Sequence, residues 1–234
     1  MSCLYLIPVP LGKERENRVL PEKVFQIVRS LPRFIVENVR HAESFLQWAG
    51  HPSKFHELTI RILNRKTPDH EVHGFLKLLE EGDTGLFTEA GMPGVADPGA
   101  PFVRLAHEAG HQVRPLSGPS SIVLALSASG LNGQSFTFHG YLPVQERERV
   151  SAIATLEQEA VKRQRTQIFM ETPYRNDSML KSLLEVCRPE TWLCVASSLT
   201  LENEEVISRP VWKWLSEPLP SLQGRPAIFL VSAR

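Results

Sequence analysis

The chain has 234 residues, 42% of them hydrophobic, and 26 Lys and Arg stand against 26 Asp and Glu, leaving no formal net charge. This length buries one large core or two smaller ones, and the balance of charge excludes a protein that holds nucleic acid through a global excess of basic residues. No apolar run is long enough for a membrane helix, and Met1-Ser-Cys-Leu-Tyr-Leu-Ile-Pro-Val-Pro10 enters an apolar segment without a basic lead or cleavage site, so a cytoplasmic protein is expected.

Strand and helix signals alternate along the sequence in the manner of an α/β fold. Residues 4–9 read as a buried strand, 21–30 as a helix carrying Val24, Phe25, Ile27 and Val28, 33–37 as a strand and 43–49 as a short helix. An alternating strand over 58–63 precedes a helix over 71–81, with Val72, Phe75, Leu76 and Leu79 on one face and Gly82 ending it. A strand over 86–88, a helix over 101–109 and a strand over 112–116 complete an N-terminal α/β domain, residues 1–116.

The C-terminal domain, residues 117–234, opens with a helix of small and apolar residues over 120–129, stopped by Gly130. A strand over 136–140, a charged helix over 145–162 and a strand over 166–170 follow. Then come a helix over 173–186, strands over 192–197 and 204–208, a short helix over 211–215 and a last strand over 227–231. The Pro/Gly-rich bridge over 218–224 reads as a loop, and no repeat or low-complexity tract is visible.

Two of the connecting loops are unusually constrained. Gly85-Leu-Phe-Thr-Glu-Ala-Gly-Met-Pro-Gly-Val-Ala-Asp-Pro-Gly99 and Pro115-Leu-Ser-Gly-Pro-Ser-Ser121 both leave strand ends, where ligands bind in open α/β sheets. Neither a Gly-x-Gly-x-x-Gly nor a Gly-x-x-x-x-Gly-Lys-Ser/Thr spacing occurs, so phosphate cradling is not the reading. Taken singly, each loop is an ordinary tight turn; the pair suits a ligand held by main-chain amides and carbonyls, such as an adenosine or amino-acid moiety.

These two loops, with Ala125-Leu-Ser-Ala-Ser-Gly-Leu131, resemble the tetrapyrrole methylase superfamily of S-adenosylmethionine (SAM) dependent methyltransferases. Within it the chain is most similar to the bacterial small-subunit ribosomal RNA methyltransferase I family, which modifies a cytidine ribose 2′-hydroxyl. Leu4-Tyr-Leu-Ile-Pro-Val-Pro-Leu-Gly12, Phe138-His-Gly-Tyr-Leu-Pro143, Glu171-Thr-Pro-Tyr-Arg175 and Leu199-Thr200 carry the same resemblance in order over most of the chain. It implies two unequal α/β domains with SAM in the cleft between them, and a homodimer. The implied SAM contacts are Pro10, Leu11 and Gly12, then Glu89, Ala90, Gly91 and Pro93, then Ser120 and Ser121. Met170, Glu171, Leu199, Thr200, Pro226 and Ala227 complete them from the second domain.

Methyl transfer from a sulfonium is a direct displacement that needs alignment and exclusion of water more than catalytic groups. A ribose hydroxyl is a poor nucleophile, so a carboxylate to orient or take its proton and an arginine to hold a phosphate or steady the alkoxide are the expected helpers. Glu171 and Arg175, four residues apart, are the candidates; the same spacing suits a helix-start ion pair with Pro173 in the first turn. Glu89 is the alternative acid, with Asp97, and either can instead bond local amides. RNA contact would fall to Arg147, Arg149, Lys162, Arg163 and Arg165, or to Arg61, Arg65 and Lys66, unless these are solvated faces.

Three departures from the ribosomal RNA family bear on substrate. Glu89 replaces an aspartate, Ser197-Ser198 replaces an Arg-Glu before Leu-Thr, and Gly224-Arg225-Pro226 replaces a Gly-Glu, as in the small-molecule branch. The chain also ends at Arg234 without the helical tail of longer members; if that tail contributes to RNA binding, a partner, a dimer groove or another substrate is expected here. A methyltransferase acting on a tetrapyrrole-like or other small molecule, and a non-catalytic SAM-binding module, therefore stay open beside the ribosomal RNA reading. No metal is expected: His51, His56, His70 and His73 lack a third ligand at a suitable spacing, and Cys3, Cys187 and Cys194 read as core. Phe136 and Phe138, alternating with Thr137, also read as core, and Trp212 and Trp214 as core or base-stacking residues.

Overall fold

The computed structural model describes residues 2–12 and 19–232; the chain ends Met1 and Arg234 lie outside the described residues. The chain divides into two units, Met1–Ser120 and Ser121–Arg234.

The first unit is a parallel five-stranded sheet of order β3-β2-β4-β1-β5. Its strands are β1 (Cys3–Leu6), β2 (Arg33–Val36), β3 (Thr59–Ile62), β4 (Thr84–Phe87) and β5 (Gln112–Pro115). Side-chain alternation puts Phe34, Val36 and Phe87 on one face, where they meet Val24, Phe25 and Val28 of α1 (Glu22–Ser30) and Phe45 and Leu46 of α2 (Val39–Trp48). Leu4, Ile35 and Leu86 point to the other face, against α3 (Asp69–Gly74), α4 (Leu76–Glu81) and α5 (Ala100–Glu108), which bring Val72, Leu79 and Phe102. Both faces are covered, as parallel sheets require.

Several boundaries differ from the sequence reading for local reasons. The helix expected over 43–49 begins at Val39, because the Asn38 side chain caps it by accepting the His41 backbone N–H at 3.2 Å. The helix expected over 71–81 is interrupted at Phe75, next to Gly74. The first strand stops at Leu6, and Val9 instead forms an isolated bridge with Gly91.

The second unit is a mixed five-stranded sheet of order β6-β7-β10-β8-β9. It comprises β6 (Phe136–Tyr141), β7 (Thr166–Glu171), β8 (Trp192–Ser197), β9 (Glu205–Pro210) and β10 (Ala227–Ser232). Phe169, Val195, Phe229 and Val231 pack on one face with α7 (Glu146–Arg163), α8 (Asn176–Val186) and α9 (Val211–Ser216). The helix α6 (Ser121–Ser129) adjoins β8, β9 and β10.

Phe136 is 43% exposed rather than core, because β6 is an edge strand. Trp214 is fully buried with its indole N–H on the Leu193 carbonyl at 3.0 Å, whereas Trp212 is exposed. Arg149 is also buried: its guanidinium donates to Ser182 Oγ at 3.1 Å and to the Val144 carbonyl at 3.0 Å, joining α7 to α8. It is thereby removed from the residues that could meet RNA. Arg163 pairs with Glu159 and Arg165 bonds Ser135 Oγ, while Arg147 and Lys162 are exposed basic residues of that cluster. All three cysteines are buried thiols.

Candidate functional site

In the first unit the chain leaves β1, β4 and β5 at the same sheet edge, since all three strands are parallel. Their loops are tied together. Val9 and Gly91 exchange two backbone hydrogen bonds, each 2.9 Å, which fasten the loop after β1 to the loop after β4. Gly91 has a positive φ of 73°, a conformation that strains a residue bearing a Cβ. The loop after β5 closes against the first one through Gly118, where a Cβ would collide with the Pro8 ring. Pro10, Leu11, Gly12, Glu89, Ala90, Gly91 and Pro93 thus lie on loops in mutual contact, with Ser120 at the end of the third; Ser121 opens α6 in the second unit.

Asp97 gives the long loop its shape. Its carboxylate accepts the Gly94 N–H at 2.5 Å and the Gly99 N–H at 2.6 Å. Burial holds its pKa above the usual carboxylate range in spite of those bonds. Asp97 is therefore a loop anchor, while Glu89 is exposed at the loop's start. Glu37, which sequence reading passed over, follows β2 at the same edge, one residue beyond the Val36–Phe87 pair. Its pKa is raised first by burial and then by the charge of Glu89, although it also takes a hydrogen bond from the Glu89 backbone. The signal available in the sequence was its position: an acid directly after a buried parallel strand.

In the second unit the sheet register lines up Glu171, Ala227, Ser197 and Glu205 on four adjacent strands. Met170, Leu199, Thr200 and Pro226 flank this row. Glu171 has a side chain 1% exposed, and its Oε1 accepts both the Thr172 N–H at 2.6 Å and Arg175 Nη2 at 2.5 Å. Its Oε2 is buried with no hydrogen-bond partner, as are Arg175 Nε and Asn176 Oδ1. Pro173 lies outside α8, whose first residue is Asn176, so the ion pair spans a strand-end turn rather than a helical one.

The backbone beside this row is strained. Ser198 and Thr200 have φ of 52° and 70°, a region that L residues seldom occupy and that costs on the order of 1–3 kcal/mol each. Arg225 supports Ser198 by donating from Nε to its Oγ at 3.2 Å, and the same guanidinium pairs with Glu205 at 3.0 Å and bonds the Asn203 carbonyl at 2.6 Å. Glu204 accepts the Thr200 N–H at 2.6 Å. Among the described residues no group of three or more His, Cys, Asp and Glu is placed to hold a metal ion, and no helix is long and apolar enough to cross a membrane.

The first unit presents glycine- and proline-constrained loops at the ends of parallel strands, and the second a buried acid at a strand-end row, features that suit an α/β enzyme. Residues 4–212 match the family Tetrapyrrole (Corrin/Porphyrin) Methylases, and the chain belongs to it. It is an S-adenosylmethionine-dependent methyltransferase. Similar proteins include a ribosomal RNA small subunit methyltransferase I of Escherichia coli O157:H7, 29% identical over 91% of this chain and 71% of that protein. Another, from Vibrio cholerae, is 30% identical over 92% of this chain and 72% of its own. Among solved structures, a uroporphyrin-III-C-methyltransferase from Thermus thermophilus covers 99% of this chain and 92% of its own with a TM-score of 0.55 and 21% identity. A conserved hypothetical protein from Aeropyrum pernix K1 reaches a TM-score of 0.67 at 14% identity, covering 100% of this chain and 84% of its own. At these identities the two structures speak for the fold alone.

Proposed function

We propose that the protein methylates a ribose 2′-hydroxyl of small-subunit ribosomal RNA, acting as a homodimer in the cytoplasm. The names of its relatives and the resemblance of its motifs support the substrate class, and the resemblance supports the dimer. The single observation that carries the chemistry is the Glu171 carboxylate, buried at a strand end with one oxygen engaged and the other unpartnered.

When bound, SAM would supply an electrophilic sulfonium methyl; attack by the ribose oxygen on that carbon would form the O–CH3 bond as the S–CH3 bond breaks and S-adenosylhomocysteine leaves. The chain's own residues fit such a ligand, because the exposed Glu89 and Ala90 offer main-chain groups at a strand end where Gly91 lets the backbone approach closely. Pro10, Leu11, Gly12, Gly91, Pro93, Ser120 and Ser121, with Met170, Leu199, Thr200, Pro226 and Ala227, are assigned to SAM. Glu171 Oε2 takes the hydroxyl proton as the oxygen attacks, and Arg175 steadies the developing negative charge or the adjacent phosphate. Glu89 is assigned to SAM, with a charge complementary to its cationic end.

The test is transfer of labelled methyl from SAM to unmodified small ribosomal subunits, preceded by calorimetric titration with SAM and S-adenosylhomocysteine. Label in a ribose 2′-O-methyl nucleotide is the expected result. Label in a tetrapyrrole-type acceptor and not in RNA would assign the small-molecule alternative, and SAM binding with no turnover on any acceptor would leave a binding module.

A further inference from the structure

We propose that Tyr174 is a stacking platform for a nucleobase of the RNA acceptor, an inference that rests on the ribosomal RNA reading above. Tyr174 is 85% exposed, more than any other large hydrophobic side chain among the described residues; the next, Leu215, is 62% exposed. An aromatic ring in water that covers nothing is unusual, since Tyr normally buries its ring and wets only its hydroxyl.

The ring is also held out on a stiff support. Residues 172–175 form a turn closed by the Arg175 N–H on the Thr172 carbonyl at 2.9 Å, with Pro173 at the position where its fixed φ preforms the bend. Glu171 Oε1 grips both ends of that turn, through the Thr172 N–H at 2.6 Å and Arg175 Nη2 at 2.5 Å. The Pro173 carbonyl is pinned from the other side by the Gly224 N–H at 3.1 Å. So an exposed ring rides on the turn that Glu171 and Arg175 clasp, and the buried polar atoms without partners, Glu171 Oε2, Arg175 Nε and Asn176 Oδ1, lie in or beside that turn. The exposed ring on this stiff support points to a ligand with a flat face, which a nucleobase has.

RNA is read largely through unstacked bases laid on aromatic side chains, and chemistry on a nucleotide in a structured RNA calls for such extrusion. One stacked base is worth about 1–3 kcal/mol by alanine substitution. At 1.4 kcal/mol per decade that predicts a rise in KM for the RNA of about 5- to 140-fold in Tyr174→Ala.

The experiment measures steady-state methyl transfer to unmodified small subunits, SAM affinity by calorimetry and oligomeric state by sedimentation for the wild type, Tyr174→Ala, Tyr174→Leu and Tyr174→Phe. The expected result is a raised KM for RNA in the Ala variant, an intermediate value for Leu and a near wild-type value for Phe, with kcat at saturating RNA and SAM affinity unchanged. A wild-type KM in Tyr174→Ala overturns the proposal, and so does a loss of activity that follows a change in oligomeric state, which would make the ring a subunit contact. A wild-type protein that binds SAM but transfers no methyl to subunits overturns the ribosomal RNA reading itself, and is recognised as such because the variants then have no activity to compare.

Discussion

Glu171→Gln separates a catalytic carboxylate from a structural one. The glutamine keeps Oε1 as acceptor for the Thr172 N–H and for Arg175 Nη2, and replaces the unpartnered Oε2 with an amide. Two effects on stability then oppose one another. The bonds to Arg175 and Thr172 lose their charge assistance, worth about 1–2 kcal/mol once the one-third exposure of Arg175 is allowed for, since its side chain is 34% exposed. Against this, the variant no longer holds an ionised group with 1% side-chain exposure away from water, a cost of comparable size. The net change in unfolding free energy is expected within about 1 kcal/mol. Losing a general base, by contrast, costs a factor of about 10²–10⁴ in the chemical step, equivalent to roughly 3–5 kcal/mol in the barrier. The assay is single-turnover methyl transfer with enzyme in excess over unmodified small subunits, beside urea unfolding and a SAM titration. A glutamine variant that transfers methyl within about tenfold of the wild-type rate would refute the base role. One whose SAM affinity falls in proportion to its rate would reassign Glu171 to donor binding alone.

Other substitutions probe the two sheet edges and the core. Asp97→Ala removes the acceptor of the Gly94 and Gly99 N–H bonds, each worth about 1.5–3 kcal/mol before the relief of burying the carboxylate is subtracted. A net loss of about 1–3 kcal/mol in urea unfolding and a weaker SAM titration are expected; unchanged values for both would dismiss the anchor role. Glu37 keeps its proton to higher pH in the folded chain than in the unfolded one, where the ordinary value is 4.5, so ionising it costs stability as pH climbs through that window. Glu37→Gln should accordingly gain stability over wild type at pH 7 and lose that gain below pH ~4, and the opposite pH trend in urea midpoints would contradict the assigned cause. Burial pushes the Cys187 thiol up to about 12, with the Glu157 charge adding to it, and the Cys194 thiol up to about 11, while Cys3 is raised as well. None of the three should react with a thiol reagent at pH 8 in the native protein and all should react in urea; rapid native labelling would show that the core opens.

How much was legible in the sequence depends on how local the cause is. Strands and helices followed from period-2 and helical patterning, and the loops after β4 and β5 announced themselves because glycine and proline fix backbone shape within a few residues, whereas the loop after β1 came only from the family resemblance. What escaped was set by neighbours distant in the chain. The alternation of Phe136 and Phe138 gave β6 two faces but could not reveal that the strand is an edge, which is why Phe136 is exposed. Arg149 sits in the charged stretch Glu146-Arg-Glu-Arg149 and reads as solvated, yet Ser182 on α8, 33 positions away, draws it inside.

The Ser197-Ser198 departure shows the same limit with more consequence for function. Read along the chain, the absence of an Arg-Glu before Leu199-Thr200 suggested a site stripped of its charges. In the fold, Ala227 sits between Glu171 and Ser197 in the sheet register, so the residue two positions before it, Arg225, enters at the same edge. Its guanidinium reaches Ser198 Oγ and Glu205 together, restoring an arginine–carboxylate pair at the strand end from two other segments of the chain. The strained backbone at Ser198 and Thr200, braced by Arg225 and Glu204, is kept where a site stripped of charge would have let it relax. In the SAM site proposed above, that bracing is what would hold this edge in shape.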